Sequence, residues 1–166
     1  MKKASLIGIV SVLSVGSLLH FVYEWSGRMP LVGAFGAVNE SIWEHLKLLF
    51  WPMLVYGIVE WFWYGKRLDA FWPVRTLSIL GGMATITVLY YTYSGILGQH
   101  YFWADIAIYL LAVVGAYLLS LHFLKRKATP SPLAQGLSIA VLFLCAVAFV
   151  HFTFSPPSIG LFAQPQ

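Results

Sequence analysis

Histidine and carboxylate side chains recur in this sequence at the spacing of metal ligands on a helix. His20 and Glu24 are four residues apart, and Glu40 and Glu44 repeat that spacing, with His45 directly after them. Residues four apart on a helix project from the same face, one turn apart. Histidine and carboxylate groups together suit zinc, iron or manganese. The pattern therefore predicts a divalent metal site held by the segments that carry these residues.

The composition indicates the solvent in which those segments fold. Apolar residues make up 60% of the chain and charged residues 10%, whereas a soluble domain carries about 25% charged residues. The net charge of +4 comes from small basic clusters between long apolar runs, which is typical of membrane-protein loops and argues against nucleic-acid binding. The single cysteine, Cys145, has no partner for an intrachain disulfide. The chain is therefore predicted to be an integral membrane protein.

Five apolar runs are long enough to cross a membrane as helices. A helix needs about 20 mostly apolar residues to cross the hydrocarbon layer, and an open sheet cannot satisfy its backbone there. The predicted spans are approximately residues 4–25, 46–64, 77–97, 103–124 and 134–154. The first run is expected to be an uncleaved helix rather than a signal peptide. The sequence thus predicts an all-α, polytopic helical bundle that forms a single transmembrane domain over residues 1–166.

The basic residues predict the orientation of this bundle, because they are enriched in cytoplasmic loops. With the N-terminus in the cytoplasm and the C-terminus outside, eight basic residues lie inside and two outside. Those inside are Lys2, Lys3, Lys66, Arg67, Arg75, Lys125, Arg126 and Lys127, and those outside are Arg28 and Lys47. Glu60 lies near the inner end of the second span, where we expect it to pair with Lys66 or Arg67.

In this orientation most ionisable groups collect at the outer face. Four of the six acids and four of the five histidines lie there: His20, Glu24, Glu40, Glu44, His45, His100, Asp105 and His151. Ionisable groups in a membrane region are costly and mark functional sites. The predicted metal ligands are His20, Glu24, Glu40, His45, Asp105 and His151. Glu44 or Glu24 is the predicted general base.

Purely structural roles compete with these assignments. Ser41 and Glu44 fit a capping box at the start of a helix. Asp105 lies in the first turn of the fourth span, where the helix dipole favours an acid. His20 and His151 could serve as polar contacts between helices. Each of these residues therefore has a structural interpretation beside the functional one.

Two stretches resemble motifs of a family of small bacterial integral membrane proteins whose function is uncharacterised. The first is N-E-S-I-W-E-H-L-K-L at residues 39–48, followed by Phe50-Trp51-Pro52. The second is the tail F-T-F-S-P-P at residues 152–157, followed by Leu161-Phe162 and Pro165. The resemblance implies a multi-pass protein of the bacterial inner membrane and no particular chemistry. Gln164 stands where the family pattern has an acid before the proline, which argues against a carboxylate supplied by the tail.

Three classes of function agree with these observations. The first is a metal-dependent hydrolase or acyl transferase acting on a membrane lipid, because a bound metal lowers the pKa of water to about 7 and polarises a carbonyl. The second is a transporter or a subunit that binds a small solute or cation, with Pro52 and several glycines permitting broken helices. The third is a non-catalytic partner in a homo-oligomer or another membrane assembly. The apolar centres of the last three spans favour a site at one face over a through-pathway.

Overall fold

The computed structural model describes residues 1–126 and 128–164, and all regular structure in this part of the chain is helical. The α-helices are α1 (Lys2–Trp25), α2 (Pro30–Gly33), α3 (Ile42–Trp63), α4 (Phe71–Leu97), α5 (Phe102–Leu124) and α6 (Pro132–Phe154). Short 3-10 helices follow α3 at Gly65–Arg67 and α6 at Gly160–Phe162. Lys127 and Pro165, which the sequence analysis used for orientation and for the tail motif, lie outside the described residues.

Five of the described helices, α1, α3, α4, α5 and α6, are long and apolar enough to cross a membrane. The five predicted helices are therefore confirmed. All five begin earlier than predicted, and the difference is largest for α3, which begins at Ile42, and for α4, which begins at Phe71. The hydroxyl of Ser41 accepts a hydrogen bond from the backbone N–H of Glu44 at 3.4 Å and so caps α3 before its apolar run begins.

The early start of α4 places Arg75 inside a helix rather than in a loop, which corrects the sequence analysis. Arg75 and Glu60 are both buried and form an ion pair between α4 and α3. The hydroxyl of Tyr64 donates a hydrogen bond of 2.7 Å to the same carboxylate. The expected pairing of Glu60 with Lys66 or Arg67 is therefore wrong, because a nearer cation from the next helix neutralises the acid.

Successive long helices run in alternating directions. The start of α1 meets the end of α3 through a hydrogen bond of 2.8 Å from the Tyr56 hydroxyl to the carbonyl of Ala4. The end of α6 meets the start of α3 through a bond of 2.9 Å between Lys47 Nζ and the Thr153 hydroxyl. We call the end of the bundle that holds the last turn of α1 and the first turn of α3 the site end, and the other the opposite end.

The core fixes the position of α1 against α3. This packing brings the polar ends of the two helices together. Val12, Leu49 and Val113, from α1, α3 and α5, belong to one buried cluster. The Tyr109 hydroxyl of α5 lies 3.1 Å from the carbonyl oxygens of both Val12 and Leu48. Gly16 of α1 is needed at this junction, because a Cβ there would collide with that hydroxyl and with the α3 backbone. Close packing thus sets the relative height of α1 and α3.

Candidate metal centre

Three predicted ligands converge at the site end of the bundle: His20, Glu40 and His45. His20 lies near the end of α1, Glu40 in the segment before α3, and His45 in the first turns of α3. Glu40 Oε2 is 3.4 Å from Nε2 of His20 and 3.5 Å from Nε2 of His45. One ligand atom from each residue lies within 4.8 Å of the others, the spacing of groups that could hold a metal ion. In the described part of the chain, this is the one such group.

The ring of His45 is oriented for metal binding by its other nitrogen. Nδ1 of His45 lies 2.9 Å from the carbonyl oxygen of Ser41. A carbonyl oxygen can only accept, so Nδ1 is the donor, and in the neutral form of the ring Nε2 then holds the lone pair that a metal would bind. Such a hydrogen bond to the backbone is the usual support for a histidine that binds metal. The free nitrogen is the one that faces Glu40.

The side chain of Asn39 determines the backbone conformation of the segment that carries Glu40. The amide oxygen of Asn39 accepts a hydrogen bond of 2.9 Å from the backbone N–H of Ser41. This Asx-turn folds the chain back on itself just before α3 begins. Glu40 lies between the two partners of the turn and stays largely exposed, with 62% of its side chain accessible. His20 and His45 are about half as exposed, at 29% and 30%, which leaves room for water or substrate at the site.

A buried ion pair within the bundle holds the segment before α3 in place. Lys47 Nζ lies 2.5 Å from Glu44 Oε2, and both side chains are almost completely buried. The carboxylate also accepts a hydrogen bond of 2.9 Å from the backbone N–H of Val38. The ammonium donates to the carbonyl of Gly33 at 2.7 Å and to the hydroxyl of Thr153 at 2.9 Å. The pair thus fastens residues 33–38 and the end of α6 to the start of α3.

This network revises the expected roles of residues 41–47. Ser41 caps α3 as the capping box predicts, but the carboxylate of Glu44 binds Val38 N–H rather than the N–H of Ser41. The sequence placed Lys47 among the outer cations, at the start of the second predicted span, and gave Thr153 only as part of the tail motif. The available signal was the position of Lys47, three residues after Glu44, because residues at that spacing meet on one helix face.

The other three predicted ligands, Glu24, Asp105 and His151, contact other residues and do not join the group of His20, Glu40 and His45. Their role as ligands stays a prediction. Glu24 forms an exposed ion pair of 3.1 Å with Arg28, and its hydrogen bond, together with its charge, raises the pKa of Arg28 above the ordinary value. Asp105 accepts a hydrogen bond from the hydroxyl of Tyr93 and lies 3.0 Å from His100 Nδ1. His151 is exposed on α6 and lines an open groove of about 520 Å³.

The chemistry of the converging groups is that of a transition-metal site. Two neutral imidazoles and one carboxylate are a ligand set found in zinc and non-haem iron enzymes. Three protein ligands leave at least one coordination position for water or substrate, which is the feature that separates catalytic sites from closed structural ones. The arrangement of His20, Glu40 and His45 could therefore hold a metal that reacts with molecules at one face of the bundle.

The sequence matches the family of unknown function DUF6512 over residues 1–165. The chain belongs to this family. No curated protein and no solved structure matches it. Membership of DUF6512 agrees with the resemblance to an uncharacterised family, and the bacterial origin and the two motifs of that resemblance stay predictions.

The first testable prediction for this DUF6512 protein concerns the buried anchor. Lys47→Met removes the cation and leaves the carboxylate of Glu44 buried and unpaired. Removal of one partner of a buried pair costs about 3–5 kcal/mol, so we expect a lower unfolding temperature of the purified protein. Faster proteolysis within residues 26–41 should accompany it, because the ammonium no longer holds the carbonyl of Gly33.

Two control variants make this result specific. Lys125→Met removes an exposed cation at the opposite end and should leave the unfolding temperature unchanged. The double variant Glu44→Leu/Lys47→Met removes both charges and should regain part of the lost stability. An unfolding temperature of Lys47→Met equal to that of the native protein would contradict the anchoring role.

Proposed function

We propose that this chain is a metal-dependent enzyme of the bacterial inner membrane with five spans and one transmembrane domain. In this proposal, His20, Glu40 and His45 hold a divalent transition metal: zinc, iron or manganese. The enzyme hydrolyses or transfers an acyl group of a membrane lipid. The N-terminus lies in the cytoplasm and the site end faces outward. The observation that carries the proposal is the convergence of three ligand atoms from three separate segments within 4.8 Å.

The position of the three groups supports a site that takes its substrate from the membrane surface. His20 and His45 lie near the ends of helices that are long and apolar enough to span a membrane, and Glu40 lies just before one of them. In a membrane, such helix ends lie near the level of lipid head groups and ester bonds. The partial exposure of His20 and His45 provides access from that side. A metal held there would polarise a carbonyl and generate a nucleophilic water near neutral pH.

Glu24 is the better placed of the two predicted general bases. It lies four residues after His20 on α1, one turn away on the same face, and it is exposed. Its partner Arg28 is also exposed, and exposed ion pairs are weak, so the carboxylate can exchange partners readily. Glu44 is buried and binds both Lys47 and the backbone of Val38. In this proposal Glu24 accepts the proton of water, and Glu44 positions the segment that carries Glu40.

Metal binding is the primary test of the proposal. Protein purified without chelator and then reconstituted should contain near-stoichiometric zinc, iron or manganese by elemental analysis. His20→Ala, Glu40→Ala and His45→Ala should each weaken metal affinity at least about 100-fold, because even the outer partners of a metal site contribute about 10–100-fold. Affinity should fall as the pH is lowered, because protons compete for the imidazoles.

Two variants control for loss of a histidine or an acid alone. His122→Ala removes the histidine at the opposite end, where Nε2 lies 2.7 Å from Arg126, and should retain the metal. Glu24→Gln should also retain it, because Glu24 is not one of the three converging groups. Native protein that takes up no metal after reconstitution would overturn the proposal.

The second test separates metal binding from catalysis. Metal-loaded protein in vesicles of acyl-labelled phospholipid should release fatty acid or transfer it to an added acceptor. Glu24→Gln should keep the metal and slow the reaction about 10²–10⁴-fold, the range for loss of a general base, while His122→Ala should react at the native rate. A metal-loaded native protein without acyl release or transfer on any lipid class would leave metal binding standing and remove the enzymatic assignment.

The proposed orientation is tested by labelling of introduced cysteines in intact cells. In a Cys145→Ala background, Gln99→Cys lies in the exposed turn after α4 and should react with a membrane-impermeant maleimide. Arg126→Cys, exposed after α5, should react only after permeabilisation. The expectation follows from the excess of basic residues at the opposite end. The reverse labelling pattern would place the metal centre in the cytoplasm.

A further inference from the structure

A cavity of about 380 Å³ opens at the opposite end of the bundle, between the start of α1 and the end of α3. The residues that line it include Met1, Lys3, Ala4, Trp63, Tyr64 and Arg67. Its accessible wall is almost entirely apolar. An indole and a phenol ring at this depth are typical of the level where a helix leaves the hydrocarbon layer. In a bundle that spans a membrane, such a cavity would lie where lipid head groups and acyl chains meet.

Two cations stand at this apolar cavity without a protein counter-charge. Lys3 and Arg67 are exposed, and neither forms an ion pair with the described acids. Of the described residues that line the cavity, none is acidic. Tyr64 has its hydroxyl engaged with the buried Glu60. Of the side chains that line the cavity, Lys3 and Arg67 are therefore the ones that keep a charged group available to a ligand at its rim.

From this combination we infer that the cavity binds an anionic phospholipid. The phosphate would lie between Lys3 and Arg67, where a guanidinium can donate two parallel hydrogen bonds to its oxygens. The part of one acyl chain nearest the head group would cover the apolar wall beside Trp63. Basic pockets between helices at the cytoplasmic side of membrane proteins bind such head groups. This inference is independent of the metal centre, which lies at the other end of the bundle.

The apolar wall distinguishes a lipid from a free anion. Inorganic phosphate would meet two flexible, exposed side chains and leave the wall in contact with water. A phospholipid gains the same charge contacts and also removes apolar surface from water, which is favourable in proportion to the area covered. The structure therefore favours a ligand that carries both a negative head group and a chain.

The test counts lipids bound to the full-length protein in detergent by native mass spectrometry. Dioleoyl phosphatidylglycerol should bind roughly tenfold more tightly than dioleoyl phosphatidylcholine, since each basic group near an anionic head group contributes severalfold. Lys3→Gln/Arg67→Gln should abolish this preference. Lys125→Gln/Arg126→Gln removes the same charge from exposed positions at the same end and should retain it.

Three further measurements test the inference, and each has a defined outcome. The conservative variant Lys3→Arg/Arg67→Lys should keep the preference, which shows that a lost preference reflects charge rather than misfolding. Excess inorganic phosphate should not displace phosphatidylglycerol, and displacement would mean that the site recognises phosphate alone. Equal loss of preference in both glutamine variants would mean that surface charge alone selects the lipid. Either of the last two results would overturn the inference.

Discussion

The buried ion pair between Glu44 and Lys47 is the interaction on which the site end of the bundle depends. Removing two charges from water is costly, and the cost is offset only when each charge has several well-placed partners. Here the ammonium binds Gly33 and Thr153, and the carboxylate binds Val38. The pair therefore joins the segment before α3 to both α3 and α6. Glu40 belongs to this segment and His45 to the first turns of α3, so the positions of both candidate ligands follow from the same contacts.

The sequence was sufficient to predict the long helices, because the length of an apolar run is a property of the chain itself. The predicted start of a helix was wrong where a charged residue interrupts the apolar run. Arg75 reads as a loop residue, yet it lies inside α4 because Glu60 of α3 neutralises it. That pairing depends on how two helices pack, which no local pattern contains. The short helix Pro30–Gly33 was missed for a similar reason, since it packs against α1 rather than forming an apolar run of its own.

The sequence predicted which types of residue form the candidate site, but only partly which individual residues come together there. Apolar runs and basic residues placed eight ionisable groups at one end, and His20, Glu40 and His45 were among them. What the sequence could not provide is the path of the segment between α1 and α3, which the Asx-turn at Asn39 and the buried anchor determine. Without that path, Glu24 and Asp105 were equally plausible ligands.

The two buried ion pairs have different consequences for the order in which the helices can assemble. Glu44 and Lys47 lie one turn apart on α3, so they neutralise each other as soon as that helix forms. The partner of Glu60 lies on α4, so the acid is uncompensated while α3 stands alone. The charge of Glu60 is therefore compensated only once α3 and α4 have paired, which makes these two helices, joined by residues 64–70, an interdependent hairpin.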